Sequence, residues 1–441
     1  MKQLGIKNII TGIFFLSALV ALLIFSGIVN IGQDPQTASG RVVVWGDVSA
    51  QIVDPLIGFA GDQNLDVVYI QRPTATYEDD LINAFASGTG PDLFIMNHEG
   101  LIRHRDKIFE IPYASFPQDS FESLYIDEAR LFLTPTGITG LPITVDPLVM
   151  YYNKQLFASS FILDIPEYWD DFTTFAPKVT TSSSSGEILL SAVALGSYDN
   201  IEHAKAILSA LLLQNGNNVV ARDEFSGDYY STLAFQDGFD IAAAQAFDFY
   251  TSFAQFGTNT YSWNEALIDA QSKFIAGEVA VYFGRASEAE EIRRKNPNLD
   301  FGVSLFPQLR SNNVRITQGS MLGVGIAKQT QNITGSFAVA SNLAGGDFSS
   351  FLADALLVAP ASKPLLRETP DDAFTTLVYN SAIISRGWID PAPTRTANLF
   401  RTIVKNINND ALTTEAAIAR ASRDLDTILD QTINKFRVPT Q

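Results

Sequence analysis

From residue 41 the chain alternates short β-branched apolar runs with helical periodicity, and that alternation restricts the fold more than any other feature. Arg41-Val-Val-Val-Trp45 is too short and too β-branched for a helix and reads as a buried strand. Ile52, Leu56 and Phe59 then keep helical spacing behind Ser49, a suitable N-cap, although Pro55 can distort the first turn. Asp66-Val-Val-Tyr-Ile70 is a second strand. Thr76 precedes a helix carrying Leu81, Ile82 and Phe85, with Asp79 three residues on as in a capping box. Gly88 and Gly90-Pro91 end it, and Leu93-Phe-Ile-Met96 is a third strand. Strand, helix, strand, helix, strand is the pattern of an open parallel sheet with right-handed crossovers, and hence of an α/β fold. Ligands of such sheets bind beyond the carboxyl ends of the strands, here Trp45-Gly46-Asp47 and Asn97-His98-Glu99.

A second α/β region follows, and 441 residues suit two or three domains. Leu148-Val-Met-Tyr-Tyr152, Glu278-Val-Ala-Val-Tyr-Phe283 and Phe301-Gly-Val-Ser-Leu-Phe306 read as strands. Residues 201–214 and the segment bearing Phe247, Tyr250 and Ala254 read as helices. A last helix behind Thr413 or Thr414 places Leu425, Ile428, Leu429 and Phe436 on one stripe. The Thr/Ser run at 181–185 reads as a loop.

The N-terminus differs from everything after it. Residues 8–33 contain no charge, a run of 26 that exceeds the ~20 residues a helix needs to cross the hydrocarbon layer. Lys2 and Lys7 before it and Asp34 after it put the N-terminus in the cytoplasm and the remainder outside. A cleaved signal peptide is the competing reading, but its apolar region is shorter, and Ser26-Gly27-Ile28 is a poor cleavage site. The expectation is a single-pass cell-membrane anchor at 8–33, a polar tether at 34–40 and an extracellular module. Beyond residue 33 the balance is 48 acidic against 28 basic side chains, which argues against a nucleic-acid partner. The chain has no cysteine, which excludes disulfides, thiolate metal sites, cysteine nucleophiles and the lipidated cysteine of lipoproteins.

Several local sequences, in order, resemble the extracellular solute-binding proteins of ABC importers (family 1), the family that includes maltose-binding protein. They are Val-Val-Val-Trp-Gly46, Gly90-Pro-Asp-Leu-Phe94, Gly140-Leu-Pro-Ile143, Tyr151-Tyr-Asn-Lys154 with Leu156-Phe157, Ile165-Pro166 and Trp169. Phe274-Ile-Ala-Gly-Glu278, Phe306-Pro307, residues 319–326, Trp388 and the final Ala-rich helix continue the match. The resemblance implies a two-lobed periplasmic-binding-protein-like fold (type II) with an interlobe cleft, here preceded by a transmembrane helix. Lobe one would comprise 41–143 plus 304–350 and lobe two 144–303 plus 351–441, with hinge strands near 140–146 and 300–307. Its implied function is a monomeric, non-enzymatic receptor without cofactor. By hinge closure it would capture a small solute, expected to be a carbohydrate, and deliver it to ABC permease subunits. Two alternatives are a sensing module that reports to a membrane signalling partner and a receptor for an anionic or other non-sugar solute.

Sugar recognition needs flat aromatic faces for C–H surfaces and planar polar groups for hydroxyls. By resemblance, Trp45, Asp47, Asn97 and Glu99 border the cleft from one lobe, Asp146 contacts the ligand at the hinge, and Tyr198, Asn200 and Trp388 border the cleft from the other lobe. Each also has a plainer role: packing under a helix for Trp45, capping for Asn97 and Asn200, a hinge hydrogen bond for Asp146. Where many sugar-binding relatives carry Gly-x-Trp after the strand matching 278–283, this chain reads Gly284-Arg285-Ala286. Arg285 could hydrogen-bond hydroxyls, grip a carboxylate or phosphate with its planar fork, or form an ion pair with Glu288, Glu290 or Asp47. No catalytic or metal site is expected. His98, His104 and His203 lack metal spacing, and there is no nucleophile elbow, phosphate loop or dinucleotide fingerprint.

Overall fold

Three apolar runs near the start of the module form neighbouring strands, Gly40–Gly46, Leu65–Gln71 and Leu93–Asn97. The first lies between the other two and is parallel to both, with Trp45 opposite Ile70 and Phe94. The computed structural model describes residues 38–60, 64–223, 225–237, 240–311 and 314–434. The expected anchor at 8–33 lies outside the described residues, as do Phe436 and residues 34–37 of the tether. Among the described residues no helix is long and apolar enough to cross a membrane.

The described residues up to Val145 form one compact unit with Met321–Glu368, and Asp146–Ser320 forms the other with the described residues from Thr369 on. In unit one, residues 322–326 of the Thr317–Ile326 strand pair antiparallel with Leu93–Asn97. Val42, Val44, Leu93 and Phe94 are fully buried, each worth about 1.5–3 kcal/mol of transfer free energy. The Tyr77–Ser87 helix crosses back over the sheet and ends at Gly88, whose φ of 71° suits the left-handed stop. Two local expectations give way. The segment behind Ser49 yields only the four-residue Ala50–Val53 helix and a 3-10 turn at Ile57–Phe59, since Pro55 has no N–H to continue the ladder. Thr76 occupies the N-cap position without capping; its hydroxyl donates instead to Asp80.

In unit two, residues 148–153 of the Leu141–Asn153 strand pair antiparallel with Val279–Arg285 and with Phe301–Ser304, and Val279–Arg285 runs parallel to Ile188–Val193. The 181–185 run is not all loop, because Thr181–Ser182 pairs with Ile188–Val193. The Ala204–Gln214, Ala242–Ser252, Pro393–Asn408 and Thr414–Thr432 helices pack on one another. Thr413 caps the last of these through the N–H of Ala416.

The unit boundaries differ from the expected ones at residues 144–145, which fall in unit one, and in two longer stretches. Residues 304–320 belong to unit two because the buried Gln214 amide donates to the carbonyls of Pro307 at 2.9 Å and Ile316 at 2.7 Å. Residues 351–368 belong to unit one, where Ala361 N–H donates to Ile143 O and Ala359–Pro360 pairs with residues 144–145. The second passage of the chain between units therefore falls inside the Thr317–Ile326 strand rather than at 300–307.

Candidate functional site

The carboxyl edge of the unit-one sheet is built from below by Tyr77. Its buried hydroxyl lies 3.0 Å from both the Trp45 and the Ile95 carbonyls and so holds the ends of two strands together. Tyr69 donates to Val48 O at 2.7 Å, and a Cβ on Gly46 would come within 2.8 Å of that hydroxyl, so glycine preserves the bond. Burial, reinforced by the Asp47 and Asp54 carboxylates, pushes the Tyr69 hydroxyl above its ordinary range and keeps it a donor. Trp45 is 6% exposed, and the Arg72 guanidinium lies 3.7 Å from its ring centroid. Arg72 follows the second strand immediately, and its own N–H donates to Gly46 O at 2.8 Å, which brings it to the first strand's end. Asn97 caps the His98–Arg103 helix through Gly100 N–H at 2.8 Å, and Glu99 lies in that helix's first turn. His98 is buried, its Nδ1 accepting from Met321 N–H at 3.2 Å.

In unit two, Arg285 closes the Val279–Arg285 strand. Its Nη1 donates to the carbonyls of Asp146 at 2.9 Å and Gln318 at 3.0 Å, and its Nη2 donates to Gln318 Oε1 at 2.5 Å. The guanidinium thus spans two strands far apart in sequence. The Asp146 carboxylate accepts from the Ser287 hydroxyl at 2.6 Å and its N–H at 3.2 Å. Burial pushes the Asp146 carboxyl upward, against the opposing pull of Arg285 and Ser287. Glu288 accepts from Arg285 N–H at 2.8 Å, Tyr282 at 2.7 Å and Gln271 at 2.9 Å, and lies 2.5 Å from His203 Nε2. Burial raises the Glu288 carboxyl, but the His203 hydrogen bond and charge, with the Arg285 N–H and Tyr282 hydroxyl, outweigh it and hold the group at about 2.

The remaining expected residues of unit two are tied into its scaffold. Asn200 donates to Asn264 O and Leu267 O, and its Oδ1 accepts from Trp263 Nε1 and the Ser197 hydroxyl. Both halves of that amide are occupied. Tyr198 is buried, with Arg401 5.7 Å above its ring, and neighbouring Asp199 pairs with Arg401 and Lys405. Trp388 is 5% exposed; its Nε1 donates to Ser209 at 3.0 Å, and its ring stacks on Phe400 at 6.1 Å and 22°.

The structure therefore gathers Trp45, Asp47, Asn97 and Glu99 along one sheet edge, and joins Asp146 to Arg285. It gives Asn200 and Trp388 the scaffold roles. Arg72, Gln318 and Ser287 were not singled out in the sequence, and Glu288, named there as an ion-pair partner of Arg285, instead accepts its backbone N–H. Arg72 carried a legible signal, being the first residue after the second strand, at the edge where ligands of such sheets bind. Gln318 carried none, since its link to Arg285 exists only once two distant strands are neighbours. Among the described residues no group of three or more His, Asp or Glu could hold a metal ion.

The family model for bacterial extracellular solute-binding proteins matches residues 49–345. A binding protein of Brucella abortus (strain 2308) is 25% identical over 231 residues, 52% of each chain, so the chain spans about half the length of this curated relative. The galactooligosaccharide-binding protein of Bacillus subtilis (strain 168) is 26% identical over 180 residues, 38% of each chain. Among solved structures, a cyclo/maltodextrin-binding protein complexed with maltotetraose superposes with a TM-score of 0.70 at 15% identity, covering 92% of this chain and all of that one. The likeness in fold extends over both units, and the family model spans two thirds of the sequence. The chain belongs to the bacterial extracellular solute-binding protein family.

Proposed function

We propose that the protein is a membrane-anchored extracellular receptor that captures a carbohydrate and passes it to the permease of an ABC importer. The family match over residues 49–345 carries this reading. Carbohydrate as the ligand is supported by the relatives named for galactooligosaccharide and maltodextrin. The unit-one edge is also suited to hydroxyl groups, with Asp47 and Asn97 beside Trp45. The three Arg285 contacts with protein oxygens favour a structural role for that guanidinium over the grip on an anion that its sequence position suggested.

Anchoring rests on the uncharged run at 8–33, flanked by Lys2 and Lys7 on one side and Asp34 on the other. Intact-mass measurement of the membrane fraction should find the N-terminus retained; a soluble product beginning near residue 30 would overturn the anchor.

A thermal-shift screen of neutral sugars, sugar acids, amino acids and polyamines on the full chain tests the ligand class. At 100 times its dissociation constant a ligand stabilises by about 2.7 kcal/mol. A response confined to amino acids or polyamines would overturn the carbohydrate reading.

A further inference from the structure

Arg72 is the group that the reading above leaves without a task. Its guanidinium is half-buried against the Trp45 ring at 3.7 Å. Its Nε is buried and has no hydrogen-bond acceptor. Among the described residues no carboxylate lies within ion-pair distance of it, although other basic side chains of the same unit, such as Arg103 with Glu78 and Arg130 with Glu122, do find one. Arginine keeps its charge at any physiological pH, so this cation cannot relieve its burial by losing a proton. Buried polar groups are as a rule satisfied, and one left over at the ligand-binding edge of a sheet needs an explanation.

Packing on Trp45 accounts for the face of the guanidinium and leaves its in-plane donors unexplained. Stacking of this kind holds the fork in one orientation, which lowers the entropy lost when an acceptor arrives. Asp47, two residues beyond Trp45, is a carboxylate on the same edge and suits hydroxyl hydrogens. A cationic fork and an acidic acceptor side by side fit a ligand that carries both a carboxylate and hydroxyl groups.

We propose that the ligand is an acidic carbohydrate, a uronate-containing sugar, whose carboxylate is received by the planar donors of Arg72 stacked on Trp45. This rests on the carbohydrate reading given above. Trp45 is then the backing that fixes the fork rather than an open platform for a sugar face. The −18 net charge of the chain does not oppose this at short range, because charges more than about 8 Å away are screened at physiological salt.

The test uses the full-length protein in detergent and isothermal titration with matched pairs: oligogalacturonate, oligoglucuronate and oligomannuronate against their neutral counterparts of equal length. At least one acidic sugar should bind about tenfold or more tighter than its neutral partner, with an affinity that falls as NaCl is raised. Arg72→Gln should abolish that preference, and Arg72→Lys, which keeps the charge but not the fork, should retain part of it, with melting temperatures close to the parent's. Neutral sugars bound as tightly as acidic ones by the parent would overturn the proposal and leave the carbohydrate reading standing. Equal weakening of both members of a pair by Arg72→Gln would assign Arg72 to the support of Trp45 and also overturn it. Binding of no sugar at all, acidic or neutral, would overturn both readings.

Discussion

Replacing Glu288 by glutamine should expose how much of unit two depends on one buried carboxylate. Glu288 accepts from Arg285 N–H, Tyr282 and Gln271 and sits 2.5 Å from His203. Its side chain is 12% exposed, so solvent screens these contacts little. The folded protein holds the carboxyl at about 2, against 4.5 for an unperturbed glutamate. That difference corresponds to about 3 kcal/mol at neutral pH. Because the folded value is the lower one, the contribution is complete above pH 4.5 and fades as the solution is acidified towards 2. Glutamine offers one acceptor oxygen and brings an N–H₂ group against donors, so Glu288→Gln should remove most of this stabilisation. At about 2–4 °C per kcal/mol for a domain of some 150–250 residues, the melting temperature at pH 7 should drop by about 6–12 °C. Urea unfolding of both proteins at pH 7, 5 and 3 checks the sign, since the gap between them should narrow as the pH falls. A variant that melts within about 2 °C of the parent at pH 7, or a gap that stays constant down to pH 3, would refute the reasoning.

Trp388→Ala should destabilise unit two by about 3–5 kcal/mol in urea unfolding, the cost of a large-to-small change beside Phe400 and Ser209; an unchanged midpoint would return Trp388 to the role of ligand platform. Arg285→Met should cost at least about 1.5–3 kcal/mol, the scale of a hydrogen bond to a charged group. It should leave the ratio of acidic to neutral sugar affinities unchanged, because the Arg285 contacts are with Asp146 and Gln318. A collapse of that ratio would place Arg285 on the ligand. Asn200→Ala should lower stability by about 1–3 kcal/mol through the orphaned Trp263 N–H and Asn264 and Leu267 carbonyls, read by thermal melting; a normal melting curve with weakened sugar binding would instead make Asn200 a ligand contact.

The local architecture of the module is legible from side-chain pattern along the chain. The β-branched runs at 41–45, 66–70 and 93–96 specify strands through side-chain pattern alone, and the intervening helix with its stop at Gly88 makes them parallel neighbours. Because ligands of open α/β sheets gather at the strand ends, Trp45, Asp47, Asn97 and Glu99 were also legible as one edge. Which polar and aromatic groups have donors, acceptors or faces to spare depends instead on contacts between distant segments. Arg285 reads in sequence as a cation facing a ligand, yet its acceptors lie 139 and 33 residues away and become neighbours only when three strands assemble. Trp388 reads as a platform until Phe400 and Ser209 meet its ring. The place of Arg72 at the sheet edge is legible in the sequence, but that its guanidinium stacks on Trp45 with Nε unpaired follows only from the fold. Periodicity is a property of neighbours along the chain; saturation of a hydrogen-bonding group is a property of neighbours in space.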